Sequence, residues 1–170
     1  TLILPADASW GEGGVVAAPP APIASDAPDA NRIAAAVAAL RSGGPAAILV
    51  GDDIAGDPDL LADVSCLAAA TGAKVFGETF PARMRRGAGL PGLERIAYLA
   101  EFAQHQLDGV AHLVTIGARS PASFFAYPGK PSDLLPDGCT VTDLLEPGED
   151  PRLAVAGLLD AVDTSGVEAP

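Results

Sequence analysis

Two short apolar runs set the limits on what this chain can fold into. Ala46-Ala47-Ile48-Leu49-Val50 has no polar break and is fenced by Gly43-Gly44-Pro45 before it and Gly51-Asp52-Asp53 after it. Such a run is too short for a helix and has no in-out alternation. It predicts a strand buried on both faces of a parallel sheet. His112-Leu113-Val114-Thr115-Ile116, closed by Gly117, reads the same way. Parallel strands need long crossovers, usually helical, and the flanking segments have the right pattern. Asp29 can cap a helix whose apolar face is Ile33, Val37 and Leu40, ended by Ser42-Gly43-Gly44-Pro45. Asp57 or Asp59 can cap a second, with Pro58 near its first position, Leu60, Leu61, Val64, Leu67 and Ala68 inward, and Gly72 as its stop.

Further along, Ala73 to Phe76 reads as a strand and Gly77 to Gly92 as a long loop. Leu93, Ile96, Ala97, Ala100 and Ala103 mark a helix, and 118–138 is a second long loop. Cys139 to Leu144 reads as a last strand, and Asp150-Pro151 opens a final helix. The segment 51–58 reads as a polar loop. Alternation of this kind predicts an α/β fold: an open three-layer sandwich on a mostly parallel, Rossmann-like sheet of the FAD/NAD-binding type. Ligands in such folds sit at the carboxyl ends of the strands, which puts the loops after Val50, Phe76 and Ile116 on one rim. The α/β domain is expected to span 29–165. Residues 1–28 read as the exit strand of a preceding domain (Leu2 to Leu4) and a Pro/Gly/Ala-rich linker, and 166–170 as a tail.

Composition narrows the function. Ten Lys and Arg stand against 22 Asp and Glu, a net charge of -12, which repels a phosphate backbone and argues against nucleic-acid binding. An anionic ligand would need a local device such as an Arg cluster. Cys66 and Cys139 are too few and too far apart for a disulfide framework or a CxxC motif, and two histidines leave little for a metal site. The apolar runs are too short to span a bilayer, and no signal peptide is legible. The only Met is Met84, so the expectation is a piece of a longer chain, located in the cytoplasm.

Several motifs are missing. There is no Gly-x-Gly-x-x-Gly after Val50, no P-loop, and Gly117-Ala118-Arg119-Ser120-Pro121 is out of register for a nucleophile elbow. What remains is a set of alternatives. Asp52 and Asp53 could hold magnesium or a ribose hydroxyl, or simply solvate a loop and cap the next helix. Arg83, Arg85 and Arg86 could grip a diphosphate, or pair with surface carboxylates or a neighbouring domain. Gly117 could let a ligand approach the backbone with Arg119 as its counter-ion, or form a tight turn beside a solvated Arg. His105, His112 and Cys66 read as structural. Phe124, Phe125 and Tyr127 read as a core or interface cluster, or a stacking platform for a flavin or adenine.

The stretch from Gly109 to Pro121, continued by Phe124-Phe125-Ala126-Tyr127-Pro128-Gly129-Lys130-Pro131, resembles the central domain of thiamine-diphosphate-dependent enzymes. Its nearest likeness is to acetolactate synthase large-subunit homologues, close to the benzoylformate decarboxylases. Ala46 to Gly51 and Thr71-Gly72-Ala73-Lys74-Val75 resemble that domain's first two strands, and Leu2 to Trp10 the exit from its pyrimidine-binding neighbour. The resemblance implies a three-domain enzyme acting on pyruvate or another 2-oxo acid as a transferase or lyase, working as a homodimer or homotetramer. The flanking pyrimidine- and diphosphate-binding domains would supply the cofactor-activating glutamate and the Gly-Asp-Gly magnesium motif, neither of which is matched here. The resemblance therefore implies that this chain alone binds no thiamine diphosphate or magnesium and catalyses nothing. Central domains of this kind hold FAD in some members, ADP in others, and nothing in many. By that likeness the cofactor-binding candidates are Gly51, Asp52, Arg83, Gly117 and Arg119. Three other readings stand beside it: a benzoylformate decarboxylase-type 2-oxo acid decarboxylase as the parent enzyme, a free-standing FAD- or ADP-binding module, and a purely structural or oligomerisation domain.

Overall fold

The computed structural model describes residues 3–21, 25–126 and 128–167. Leu2, Tyr127 and the 168–170 part of the tail, each singled out above, lie outside the described residues. The elements run α1 (Ala6–Trp10), α2 (Ala30–Leu40), β1 (Ala46–Val50), α3 (Asp52–Ala55), α4 (Pro58–Thr71), β2 (Lys74–Gly77), β3 (Glu94–Arg95), α5 (Ala100–Leu107), β4 (His112–Ile116), β5 (Thr140–Asp143) and α6 (Pro151–Val162). The five strands form one sheet, all parallel, in the order β3-β2-β1-β4-β5. The strand order reverses between β1 and β4, so those two strands mark the switch point of the fold.

The central run behaves as its composition demands. All five residues of β1 are buried. Ala46, Ile48 and Val50 face a core built with α2, α4 and α6, while Ala47 and Leu49 face a second core built with α5. Each fully buried Ile or Leu in this layer contributes about 1.5–3 kcal/mol relative to exposure. The helix starts follow the capping chemistry. The Asp29 carboxylate accepts from the Asn31 N–H, that of Asp57 from Asp59 and Leu60, and that of Asp150 from Arg152. Gly72 takes the left-handed conformation, φ 72°, that stops α4.

Four expectations are corrected. The helix predicted from Leu93 begins only at Ala100. Leu93 packs into the first core and Ile96 into the second, so the two lie on opposite sides of the sheet, as no helical turn would place them. The chain there forms the short edge strand β3, held by Gln106, whose amide donates to the Arg95 carbonyl and whose carbonyl accepts from the Ala97 N–H. The supposed polar loop 51–58 contains the single-turn helix α3, with Ile54 and Ala55 buried. Ile3 and Leu4 belong to no strand and are exposed, and Ala6–Trp10 is a helical turn with no buried residue. Cys66 is half-buried rather than core.

The two faces of the sheet are covered unequally. Helices α2, α4 and α6 cover the first, joined by Ile54 and Ala55 of the single turn α3. The second has α5 alone, and the long segments 78–98 and 118–139 complete its cover with Ala97, Ala118, Leu134 and Leu135.

Candidate functional site

The rim at the carboxyl ends of the strands is built by the segments after β1, β2 and β4. At its centre Gly51 and Gly117 meet. The Gly51 N–H donates to the Ile116 carbonyl at 3.0 Å, extending the β1–β4 pairing by one residue. A Cβ on Gly51 would lie 1.9 Å from the Gly117 carbonyl oxygen and 2.6 Å from its carbon. Gly51 thus has a packing reason of its own: two backbones approach too closely for any side chain. Gly117 is different. Its φ of 65° requires the left-handed region, and the space beside its Cα is open.

Asp52 is engaged inside the protein. Its Oδ1 accepts from the Ala82 N–H at 2.5 Å, tying α3 to the segment after β2. The Arg83 stem packs near Gly56, and the two arms enclose a hollow of about 410 Å³ lined by Asp52, Asp53, Gly56, Asp57, Ala82 and Arg83. With Asp57 already paired to Arg152, Asp52 and Asp53 still outweigh the Arg83 guanidinium, and this net negative lining disfavours a diphosphate. Of the three neighbouring basic positions, Arg83 and Arg85 both reach Gly56, while Arg86 stands apart. Arg85 donates to the Gly56 carbonyl, Arg86 contacts the Met84 sulfur, and Arg86 lines a separate hollow with Leu90 and Glu94.

Arg119 lies between two other clefts. One, of about 240 Å³, has Leu49 and Ile96 as an apolar floor and is walled by Glu78, Thr79, Phe80 and Ser120–Ala122. The Arg119 backbone N–H donates to Glu78 Oε1 at 3.2 Å. The other, of about 590 Å³, runs toward the segment after β5 and includes Arg32, Asp143 and Glu146. Among the described residues, the Arg119 guanidinium has no hydrogen-bond or ion-pair partner. Of the five sequence-derived candidates, Gly51 and Gly117 therefore touch, Asp52 and Arg83 share one hollow, and Arg119 stands in clefts that include neither.

Sequence reasoning missed two features. Arg32, on α2, pairs with Glu146 at 2.9 Å and with Glu149, fastening α2 to the segment after β5. These partners are more than a hundred positions away in the chain, and no local motif announces them. Phe80 and Tyr98 join Phe124 and Phe125 in a four-ring cluster with centroid separations from 4.8 to 5.6 Å. Only the Phe124-Phe125 pair was visible as a motif. His105 lies in the last turn of α5 and is exposed, while the His112 Nδ1 lies 2.7 Å from the Thr140 hydroxyl across the β4–β5 pair. Burial, with help from the Asp133 charge, pushes the Cys139 thiol above its ordinary value and so favours its protonated form. Among the described residues, no three His, Cys, Asp or Glu side chains are grouped to hold a metal ion. Among the described residues, then, no donor set that would hold magnesium is brought together. No helix among the described residues is long and apolar enough to cross a membrane.

A parallel sheet in this order, flanked on both faces and with clefts at its carboxyl rim, is a domain fold found in thiamine-diphosphate-dependent enzymes. It superposes on "a putative thiamin diphosphate-dependent enzyme" of Mycobacterium smegmatis with a TM-score of 0.58 and 20% identity, covering 95% of this chain and 32% of that one. The benzoylformate decarboxylase of Polynucleobacter necessarius gives 0.61 and 19%, covering 94% and 31%. A 4-hydroxybenzoylformate decarboxylase of Rhodococcus jostii gives 0.56 and 16%, covering 98% and 31%. These likenesses establish the fold. The particular relationship comes from sequence: the chain is 52% identical over 171 aligned residues to the "Putative acetolactate synthase large subunit IlvX" of Mycobacterium tuberculosis. That match takes in 100% of this chain and 32% of the relative, so the chain spans about a third of the length of the curated relative it matches. No protein-family model matches. The resemblance to acetolactate synthase large-subunit homologues, read from the residues, is borne out along the whole chain.

Proposed function

We propose that this chain is the central domain of a longer acetolactate synthase-like, thiamine-diphosphate-dependent enzyme acting on pyruvate or another 2-oxo acid. The end-to-end match to one third of a 52% identical relative carries this reading. The domain unit would be 29–165, joined to pyrimidine- and diphosphate-binding domains by its flanking segments, in a cytoplasmic homodimer or homotetramer. Its work would be that of scaffold and interface, with cofactor and substrate held by the other domains. The test is turnover. The longer polypeptide should decarboxylate a 2-oxo acid only with thiamine diphosphate and magnesium, and residues 1–170 alone should be inert. A longer polypeptide inactive on every 2-oxo acid offered, or turnover by residues 1–170 alone, would overturn the assignment.

A second reading is favoured by one observation, the unpaired Arg119 guanidinium beside the apolar floor of Leu49 and Ile96. It would let the cleft between the β2 and β4 segments take a nucleotide such as ADP or FAD, with the Gly117 turn giving the backbone clearance. Thermal stabilisation by ADP or FAD that disappears in Arg119→Ala would support it. Equal shifts in both proteins, or none, would leave the cleft without that role.

A further inference from the structure

The rim combines two features that are unusual together in an acidic chain. Phe80, Tyr98, Phe124 and Phe125 form one contiguous aromatic surface, with exposures of 59%, 43%, 61% and 41%. That is half of the eight aromatic residues of the whole chain, left in water although they would bury readily. A soluble domain that stands alone rarely leaves such a patch uncovered, and aromatic residues are enriched at the centres of protein interfaces.

Charge is segregated along the two chain segments that carry Phe80, Phe124 and Phe125. Six of the ten basic residues, Arg83, Arg85, Arg86, Arg95, Arg119 and Lys130, fall within 78–95 and 118–130, against only Glu78 and Glu94 of the 22 acidic ones. Of these six, Lys130 alone has an ion-pair partner among the described residues, Glu101. Among the described residues the five arginines have none, Arg83 included, although it shares a hollow with Asp52, Asp53 and Asp57. Arg95 lines a cleft with Phe80, Tyr98 and Glu94, and Arg119 lines the neighbouring cleft with Phe80 and Glu78, so an arginine outside any ion pair borders the rings on each of two sides.

We propose that this face docks an acidic, apolar-centred surface belonging to another domain of the same longer polypeptide. The inference rests on the central-domain reading and names the surface through which that domain would meet its neighbours. Charge complementarity selects the partner. A second copy joined through the same face would set Arg95 and Arg119 against their own counterparts, which like-charge repulsion disfavours. A phospholipid surface would attract the arginines but repel the rest of a chain with net charge -12. The matched relative is about three times the length of this chain, so the polypeptide that contains the domain has ample surface to supply.

The test uses the full-length enzyme with a benzoyl-phenylalanine photocrosslinker in place of Phe124, an exposed position whose alteration leaves the core intact. Irradiation followed by peptide mapping should join residue 124 to acidic peptides from outside residues 1–170, with no rise in mass on a denaturing gel. The yield should drop severalfold when Arg95→Gln and Arg119→Gln are added, and also at high salt. A covalent dimer joined through residues 1–170, capture of phosphatidylserine from added phosphatidylcholine/phosphatidylserine vesicles, or no adduct at all would each overturn the proposal. Turnover of a 2-oxo acid with thiamine diphosphate, measured on the same preparation, reports separately on the central-domain reading. Loss of turnover dependence would sink that reading even with the cross-link present, and a missing cross-link in an active enzyme would sink only the docking face.

Discussion

Gly51→Ala is the sharpest probe of how the rim is built. The added Cβ would sit 1.9 Å from the Gly117 oxygen, 2.6 Å from its carbon and 3.3 Å from the Ala118 nitrogen. All three atoms are backbone, so no rotamer change relieves the contact. Reaching an ordinary 3.4 Å separation requires a relative displacement of about 1.5 Å between the ends of β1 and β4. These strands are paired in register over all five of their residues, which resists sliding. Overpacking of this kind costs about 1–3 kcal/mol. Loss of the Gly51 N–H bond to the Ile116 carbonyl adds about 1 kcal/mol. The expected total is about 3 kcal/mol, corresponding to a fall in Tm of roughly 10 °C for a domain of this size. Gly117→Ala meets no atom and violates only the preference for glycine at positive φ, so it should cost about 1–2 kcal/mol. Urea unfolding of the two variants beside the parent measures both numbers. If Gly51→Ala were within about 0.5 kcal/mol of the parent, or milder than Gly117→Ala, the close-approach argument would be refuted.

Three further outcomes are expected. Asp57→Ala should lower stability by about 1 kcal/mol in urea unfolding, because its carboxylate caps the first turn of α4 and also pairs with Arg152; an unchanged midpoint would mean water replaces the cap at no cost. In a Cys66→Ala background, alkylation of Cys139 should show its pH inflection above the ordinary thiol value, because burial raises it. The corresponding stability is present below the unfolded thiol's pKa and is lost as pH rises through the folded one; an inflection at or below the ordinary value would contradict the burial. The Lys130 ammonium, chiefly through its hydrogen bond to Glu101, holds that carboxyl below the usual range, so Lys130→Ala should move the Glu101 titration upward by NMR. The small stability linked to this group is present above the unfolded carboxyl's pKa and lost as pH falls through the depressed one.

What could be read in advance was whatever depends on near neighbours in the chain. The unbroken run Ala46 to Val50 could only be a doubly buried strand, and it became the centre of the sheet. Asp29, Asp57, Asp150 and Gly72 mark helix ends because a cap satisfies backbone groups within three residues of itself. The likeness of the chain to one third of a larger enzyme also lies in the residue order. Periodicity misled at 93–97, where Leu93 and Ile96 have helical spacing but serve opposite faces of the sheet.

Tertiary structure alone decided the rim. Crossovers bring Phe80 to Phe124 and Gly51 to Gly117 across tens of residues, while Arg86 parts from Arg83 and Arg85 although the three are almost adjacent in the chain. Spacing along a chain reports which side chains share one element. Which side chains from different elements meet is set by strand order, by register and by how closely backbones pack. In this protein those placed Arg119 away from Asp52 and gathered four aromatic rings onto one exposed face.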